Sequence, residues 1–178
     1  MRKALLVLTI CLLAAPAWAG GGFSLFGSYA EVHDDATTGG AGARLTLGGA
    51  RWVGDLTFTW YPSKGGVGSI SGFTDNIQVI PTDFGIRYLF TTSGNFDPYV
   101  GAGFSFMYVN LNDGNADNTF GYYGMLGFNL GARYVKFFAE GLYRWGESDV
   151  SYRSGGREWR GKMDVGGWGL NAGVIWTF

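Results

Sequence analysis

The sequence predicts an all-β fold, an eight-stranded antiparallel up-and-down transmembrane β-barrel, and three observations carry that prediction. The last segment, Met163 to Phe178, alternates: Trp168, Leu170, Ala172, Val174, Trp176 and Phe178 share one parity. Gly167, Gly169, Asn171, Gly173 and Thr177 share the other, with Ile175 the one misfit. That period of two is a strand with an apolar face and a small, polar face. Most of the preceding segments repeat the pattern, and no amphipathic helix is left to cover the apolar faces. Composition is the third observation: 32 glycines stand beside 14 Phe, 10 Tyr and 7 Trp. Glycine alone would fit disorder, but disordered chains are poor in aromatics, and here the two alternate in register. The apolar faces therefore point outward into lipid and the polar faces into a closed lumen.

Residues 1–19 read as a cleaved signal peptide. Arg2 and Lys3 precede an apolar run from Ala4 to Ala15, and Ala17 and Ala19 flank Trp18 where a signal peptidase needs small residues. The run is too short to span a membrane as a helix. Cys11, the single cysteine, leaves with it. A lipoprotein reading of Cys11 fails on the bulky Ile10 before it. Residues 20–178 form one domain by length. Loss of Arg2 and Lys3 from 13 basic residues leaves 11 against 14 acidic ones, a net charge of −3 that gives no reason to expect nucleic acid.

Eight runs are long enough for the roughly 9–11 tilted residues of a membrane strand. The first, residues 23–33, is read with Phe26, Ala30 and Val32 outward and Tyr29, Glu31 and His33 inward. The second places Ala41, Ala43, Leu45 and Leu47 outward against Gly42, Arg44, Thr46 and Gly48. A tight turn at 48–51 leads to the third, with Trp52, Leu56, Phe58 and Trp60 outward and Asp55, Thr57, Thr59 and Tyr61 inward, a hairpin signal. Trp52 and Trp60 are ~19 Å apart along the membrane normal at ~3.3 Å per residue and a tilt near 45°, which suits the two rims of a belt roughly 25 Å tall. Trp168 and Trp176 repeat the spacing, and Trp145 ends another run, so all five are read as an aromatic girdle.

The fourth run, residues 76–90, changes parity near Pro81, which predicts a bulge. Asp83 and Arg87 then face inward. The fifth, residues 98–110, carries Val100, Ala102, Phe104, Phe106 and Tyr108 outward. The sixth sets Phe120, Tyr122, Leu126, Phe128 and Leu130 against Met125 and Asn129. The seventh sets Val135, Phe137, Ala139, Tyr143 and Trp145 against Lys136, Glu140, Leu142 and Arg144. Short connections (48–51, 91–97, 133–136) alternate with longer ones (34–40, 62–75, 111–118, 146–164), and both termini fall on the short-turn side.

The runs DFGIRYLF and PYVGAGFSF, with the leader and the terminal Phe178, resemble the opacity-type, OmpA-like family of eight-stranded outer-membrane barrels of Gram-negative bacteria. The resemblance spans the mature chain, although only these runs are distinctive. It implies an outer-membrane location and a role in envelope structure or surface interaction. It also implies that Phe178 is the signal read by the barrel assembly machinery. Short turns then face the periplasm with both termini, and long loops face the exterior. No peptidoglycan-binding domain is expected after Phe178. A monomer is expected, with outer-membrane lipid and lipopolysaccharide as its surroundings.

The inward charges are Glu31, Arg44, Asp55, Asp83, Arg87, Lys136, Glu140 and Arg144. In a lumen just wide enough to be filled by side chains they must pair. Two readings follow: a salt-bridge plug, or a gated narrow pore lined by Arg44, Asp55, Arg87, Glu140 and Arg144. A conduit for small hydrophobic molecules, as in OmpW-like barrels, is the related transport reading, and a lateral opening between strands would support it. Enzymatic activity and cofactors are not expected. His33 is the one histidine, so no imidazole metal cluster is available. The His-aromatic-Ser run of barrel lipid A deacylases is absent, and no glycine-rich stretch has the lysine and helix of a phosphate-binding loop. The loop 146–164 carries Arg153, Arg157, Arg160 and Lys162 with Tyr152 and Trp159. It reads as a solvated hairpin extension balanced by Glu147, Asp149, Glu158 and Asp164, or as a basic, aromatic rim for lipopolysaccharide phosphates or a surface partner.

Overall fold

The computed structural model describes residues 20–31, 37–62, 77–92, 95–111, 115–116, 118–131, 134–154, 157–164 and 166–178. The leader, Val32 and His33 lie outside them. Among the described residues eleven strands form in chain order: β1 (Gly21–Glu31), β2 (Thr37–Gly48), β3 (Trp52–Trp60), β4 (Ile77–Leu89), β5 (Phe96–Leu111), β6 (Asn115–Ala116), β7 (Thr119–Gly131), β8 (Val135–Trp145), β9 (Glu147–Ser154), β10 (Arg157–Asp164) and β11 (Gly167–Thr177). Eight of them close an antiparallel barrel in the order β1-β11-β8-β7-β5-β4-β3-β2. The first and last strands pair from Gly22↔Thr177 to Ala30↔Gly169. Gly21 and Phe178 exchange backbone hydrogen bonds at 2.9 Å, so the terminal aromatic lies at the closing seam.

Alternation decides which face meets which medium. Phe104 is 70% exposed, Phe120 76% and Leu126 67%, and they belong to a band of outward-facing aromatic and aliphatic side chains around the wall. Water does not tolerate an apolar surface of that extent, whereas hydrocarbon does. The inner face is tight. A Cβ added at Gly85 would lie 2.1 Å from the Tyr123 hydroxyl oxygen, and one at Gly42 would lie 2.2 Å from the Phe26 ring. Inward glycines are the hollows that accept bulky side chains from other strands. Ile175, the parity misfit, points inward and packs with Phe26 and Phe138.

Two expectations are corrected. In β1 the outward residues are Phe23, Leu25 and Tyr29, while Ser24, Phe26, Ser28 and Ala30 are buried inside. Glu31 thus shares the outward parity of Tyr29 and stands apart from the lumen charges. Apolar residues occupy both faces of this strand, so periodicity alone assigns the wrong one. The bulge at Pro81 is also absent: β4 and β5 pair without interruption from Ile77↔Leu111 to Leu89↔Tyr99. Val79 and Pro81 are inward apolar residues, which mimics a parity switch. Residues 147–164 form the expected hairpin. β9 and β10 pair from Glu147↔Asp164 to Ser154↔Arg157. With β6 they form a separate three-stranded sheet. Arg153, Arg157, Trp159, Arg160 and Lys162 all lie on its backbone.

Because this hairpin adds no strand to the barrel, deletion of residues 150–160 is expected to leave the heat-modifiable shift of the folded barrel on a denaturing gel unchanged. Loss of that shift would make the hairpin part of the wall.

Candidate functional site

The interior is built rung by rung from charges on different strands. Nearest the short-turn end, Lys136 of β8 forms an ion pair with Asp97 of β5. Next, Arg87 of β4 grips Asp55 of β3, its Nη2 donating to Asp55 Oδ1 at 2.8 Å and to Thr46 Oγ1 at 3.0 Å. The Arg87 guanidinium also lies 4.7 Å from the centre of the Tyr99 ring. At mid-height Arg44 of β2 meets Glu140 of β8 in a fork. Arg44 Nη1 donates to Oε2 at 2.9 Å, Nη2 donates to Oε1, and Nε donates to Thr57 Oγ1 at 3.0 Å. Toward the loop end, Arg144 Nη2 donates to Asp83 Oδ2 at 2.6 Å, and Ser105 donates to Asp83 Oδ1 at 2.6 Å.

Glu140 is the hub. Tyr99 donates its hydroxyl to Oε2 at 2.7 Å, and Asn171 Nδ2 donates to Oε1 at 2.8 Å. Asn171 Oδ1 accepts in turn from Ser28 at 2.6 Å, and the Ser28 hydroxyl is 2.7 Å from that of Tyr61. Phe26 and Phe138 sandwich the other side of Arg44, their ring centres 5.7 and 5.2 Å from its guanidinium carbon. Buried charges persist only when paired and hydrogen-bonded, and here each of the four cations has a carboxylate.

Seven of the eight expected lumen charges join these four pairs, and Glu31 does not. Asp97 completes the set and escaped the sequence reading, which placed it in a connection. The signal was available: Asp97 has the parity of the inward positions Gly101, Gly103 and Ser105. The girdle residues Trp52, Trp60, Trp145, Trp168 and Trp176 are all exposed on the outer wall. Trp145 and Trp168 both pack on Tyr143, with ring centres 4.6 and 4.8 Å away.

Three spaces surround the charges. A vestibule of about 800 Å³ opens at the short-turn end and reaches Arg87 and Lys136. A trough of about 920 Å³ runs along the lipid-facing wall over small residues such as Gly27, Ala139, Gly141 and Ala172. The ladders under it are unbroken, from Gly27↔Ala172 to Ala172↔Ala139 and Leu126↔Gly141. A cavity of about 20 Å³ lies at the loop end, with Ala30, Tyr61, Val79, Pro81 and Met107 on one side and Glu31, Arg144, Gly166, Gly167 and Trp168 on the other.

Beside this last cavity one ladder stops before the end of either strand. β3 runs to Trp60 and β4 begins at Ile77, yet their ladder stops at Phe58↔Thr82. Residues Ile77–Pro81 therefore have ladder partners on β5 but none on β3. Leu89 donates its N–H to Arg51, and Phe90 donates to Pro98 on the β5 side, so odd residues of β4 aim their N–H groups toward β3. Proline has no N–H, and Pro81 stands at the first odd position past the last pair.

No family model matches the chain, and no curated protein matches it. Solved structures do. The chain is similar to the outer membrane protein OprG of Pseudomonas aeruginosa, with a TM-score of 0.74 at 15% identity, covering 90% of this chain and 96% of that one. It is similar to the outer membrane protein W of E. coli, with a TM-score of 0.64 at 14% identity over 91% and 100% of the two chains. Neisserial surface protein A gives a TM-score of 0.61 at 16% identity over 89% and 96%. The fold is that of the eight-stranded outer-membrane β-barrels.

Proposed function

We propose that the chain is an outer-membrane β-barrel protein that passes small hydrophobic molecules from its long-loop mouth sideways into the membrane between β3 and β4. The missing ladder along Ile77–Pro81 is the observation that carries this reading. The four ion pairs supply the reason for a sideways route. A nonpolar molecule entering the mouth would have to displace buried, fully bonded charges to continue along the axis. Moving sideways, it exchanges water for hydrocarbon, worth roughly 25 cal/mol per Å² of apolar surface. Lower in the wall, where every strand is paired on both sides, the backbone bonds between strands do not open in lipid without large loss. The seam past Pro81 lacks those bonds on the β3 side. The termini and short turns are assigned to the periplasm and the long loops to the exterior, as the resemblance to the opacity-type family implies. The protein acts without cofactor or catalysis, as a monomer.

The mature domain has no cysteine, which makes the seam testable. With Trp60→Cys and Ile80→Cys joined by a bifunctional thiol reagent, uptake of radiolabelled octane by cells displaying the barrel is expected to fall to the level of cells without it. The same variant left unlinked is expected to keep its uptake. Equal uptake with and without the link would dismiss the lateral route.

A role in envelope structure or surface contact has its own support, since the β9–β10 hairpin continues past the barrel strands β8 and β11. The two readings divide on the seam experiment, because surface contact does not depend on whether β3 and β4 separate. A gated axial pore is a poorer fit. Planar-bilayer recordings of the refolded chain are expected to show no steady current.

A further inference from the structure

We propose that Met107 is the size gate of the loop-end mouth and that it restricts the cargo to single unbranched hydrocarbon chains. The inference rests on the lateral route above and assigns its selectivity to one side chain. Ala30, Tyr61, Val79, Pro81 and Met107 converge from β1, the end of β3, β4 and β5 into an apolar collar. Directly beneath it Arg144 and Asp83 are paired. Glu31, Arg144, Gly166, Gly167 and Trp168 complete the lining, so a molecule in the collar meets charge on the side of Arg144 and apolar side chains on the side of Val79 and Pro81, where the seam lies.

Met107 closes this collar. It is 0% exposed, sits opposite Pro81 in the β4–β5 ladder, and sits opposite Thr119 in the β5–β7 ladder. Its tip rests against β7 where Gly121 has no side chain: a Cβ there would lie 2.8 Å from Met107 Cε. The cavity it leaves is about 20 Å³, room for one water-sized or methylene-sized group. The flanking collar residues are poor candidates for movement. Pro81 is fixed by its ring, Tyr61 is hydrogen-bonded to Ser28, and Ala30 and Val79 are short. Methionine is unbranched with three rotatable bonds, so Met107 can swing along the lumen axis without disturbing its strand. A swing of that one side chain widens the collar by about one chain width. A ring or a branched skeleton needs more space than a single side chain vacates.

Uptake of octane and of naphthalene by cells displaying the barrel tests the assignment, with folding verified by heat-modifiability. The wild-type protein is expected to favour octane at least tenfold. Met107→Ala is expected to raise naphthalene uptake fivefold or more while octane uptake holds, and Met107→Leu is expected to behave as wild type. Met107→Trp is expected to abolish both. If the octane-to-naphthalene ratio of Met107→Ala stays within twofold of wild type while the cross-linked seam still blocks octane, Met107 is not the gate and the lateral route survives. If the cross-link leaves octane uptake unchanged, the route itself falls, and the gate falls with it.

Discussion

Replacing Glu140 with alanine is expected to destabilise the folded barrel by about 3–5 kcal/mol, the loss that follows when one partner of a buried ion pair is removed. The size follows from what Glu140 holds. Its two oxygens receive both terminal nitrogens of Arg44, the Tyr99 hydroxyl and the Asn171 amide. Without it, the Arg44 charge retains only Thr57 and the faces of two phenylalanines, and two further donors lose their acceptor. The measurement is the urea midpoint for unfolding from lipid vesicles. Replacing both partners together, as Arg44→Met with Glu140→Leu, is expected to recover most of the loss, since no charge then remains to be solvated. Asp97→Asn is expected to cost less than Glu140→Ala, because Lys136 borders the vestibule and keeps contact with water. Equal midpoints for wild type and Glu140→Ala would mean that the central pair contributes nothing to holding the lumen closed.

The contrast between these pairs shows what the sequence could and could not convey. Parity identifies Arg44 and Glu140 as inward from their own strands, because each sits between apolar outward neighbours. It does not say that they meet, since they are 96 positions apart and their contact depends on how the barrel closes, with β1 and β11 between their strands. The strands themselves were legible wherever one face is apolar and the other is small or polar, as in β2, β3, β8 and β11. In β1 the rule fails: Phe26 and Ala30 face the lumen to cover Arg44 and to line the collar, so both faces carry apolar residues. Ser24 and Ser28, which share the parity of Phe26, were the cue to the true inner face. In β9 and β10 charged residues stand on alternating and consecutive positions, and the period of two is hidden. Pro81 was recognised as a break in donor capacity, but the break is the end of a ladder and not an inserted residue. The lateral seam was therefore signalled by one residue whose consequence depends on where β3 stops.

The assignment of the outer wall to lipid makes the second large prediction. Leu56 is 42% exposed, lies midway between Trp52 and Trp60, and is paired with Leu45 and Phe84 on the neighbouring strands. Leu56→Arg places a guanidinium in the middle of the hydrocarbon belt, where it is expected to cost about 2–4 kcal/mol. Trp52→Arg, at the rim, is expected to cost only about 0–1 kcal/mol from charge burial, since depth sets the penalty. Folding into vesicles titrated with urea separates the two. The comparison also separates two physical pictures of the same surface. Were the apolar faces packed against protein, Leu56→Arg would be penalised by steric overlap in detergent and lipid alike. If they face hydrocarbon, the penalty follows the bilayer: it is expected to shrink for Leu56 in thin bilayers and to vary little for Trp52. A rim-sized effect at Leu56 would place the membrane elsewhere on the barrel, and the seam at Pro81 would then no longer open into lipid.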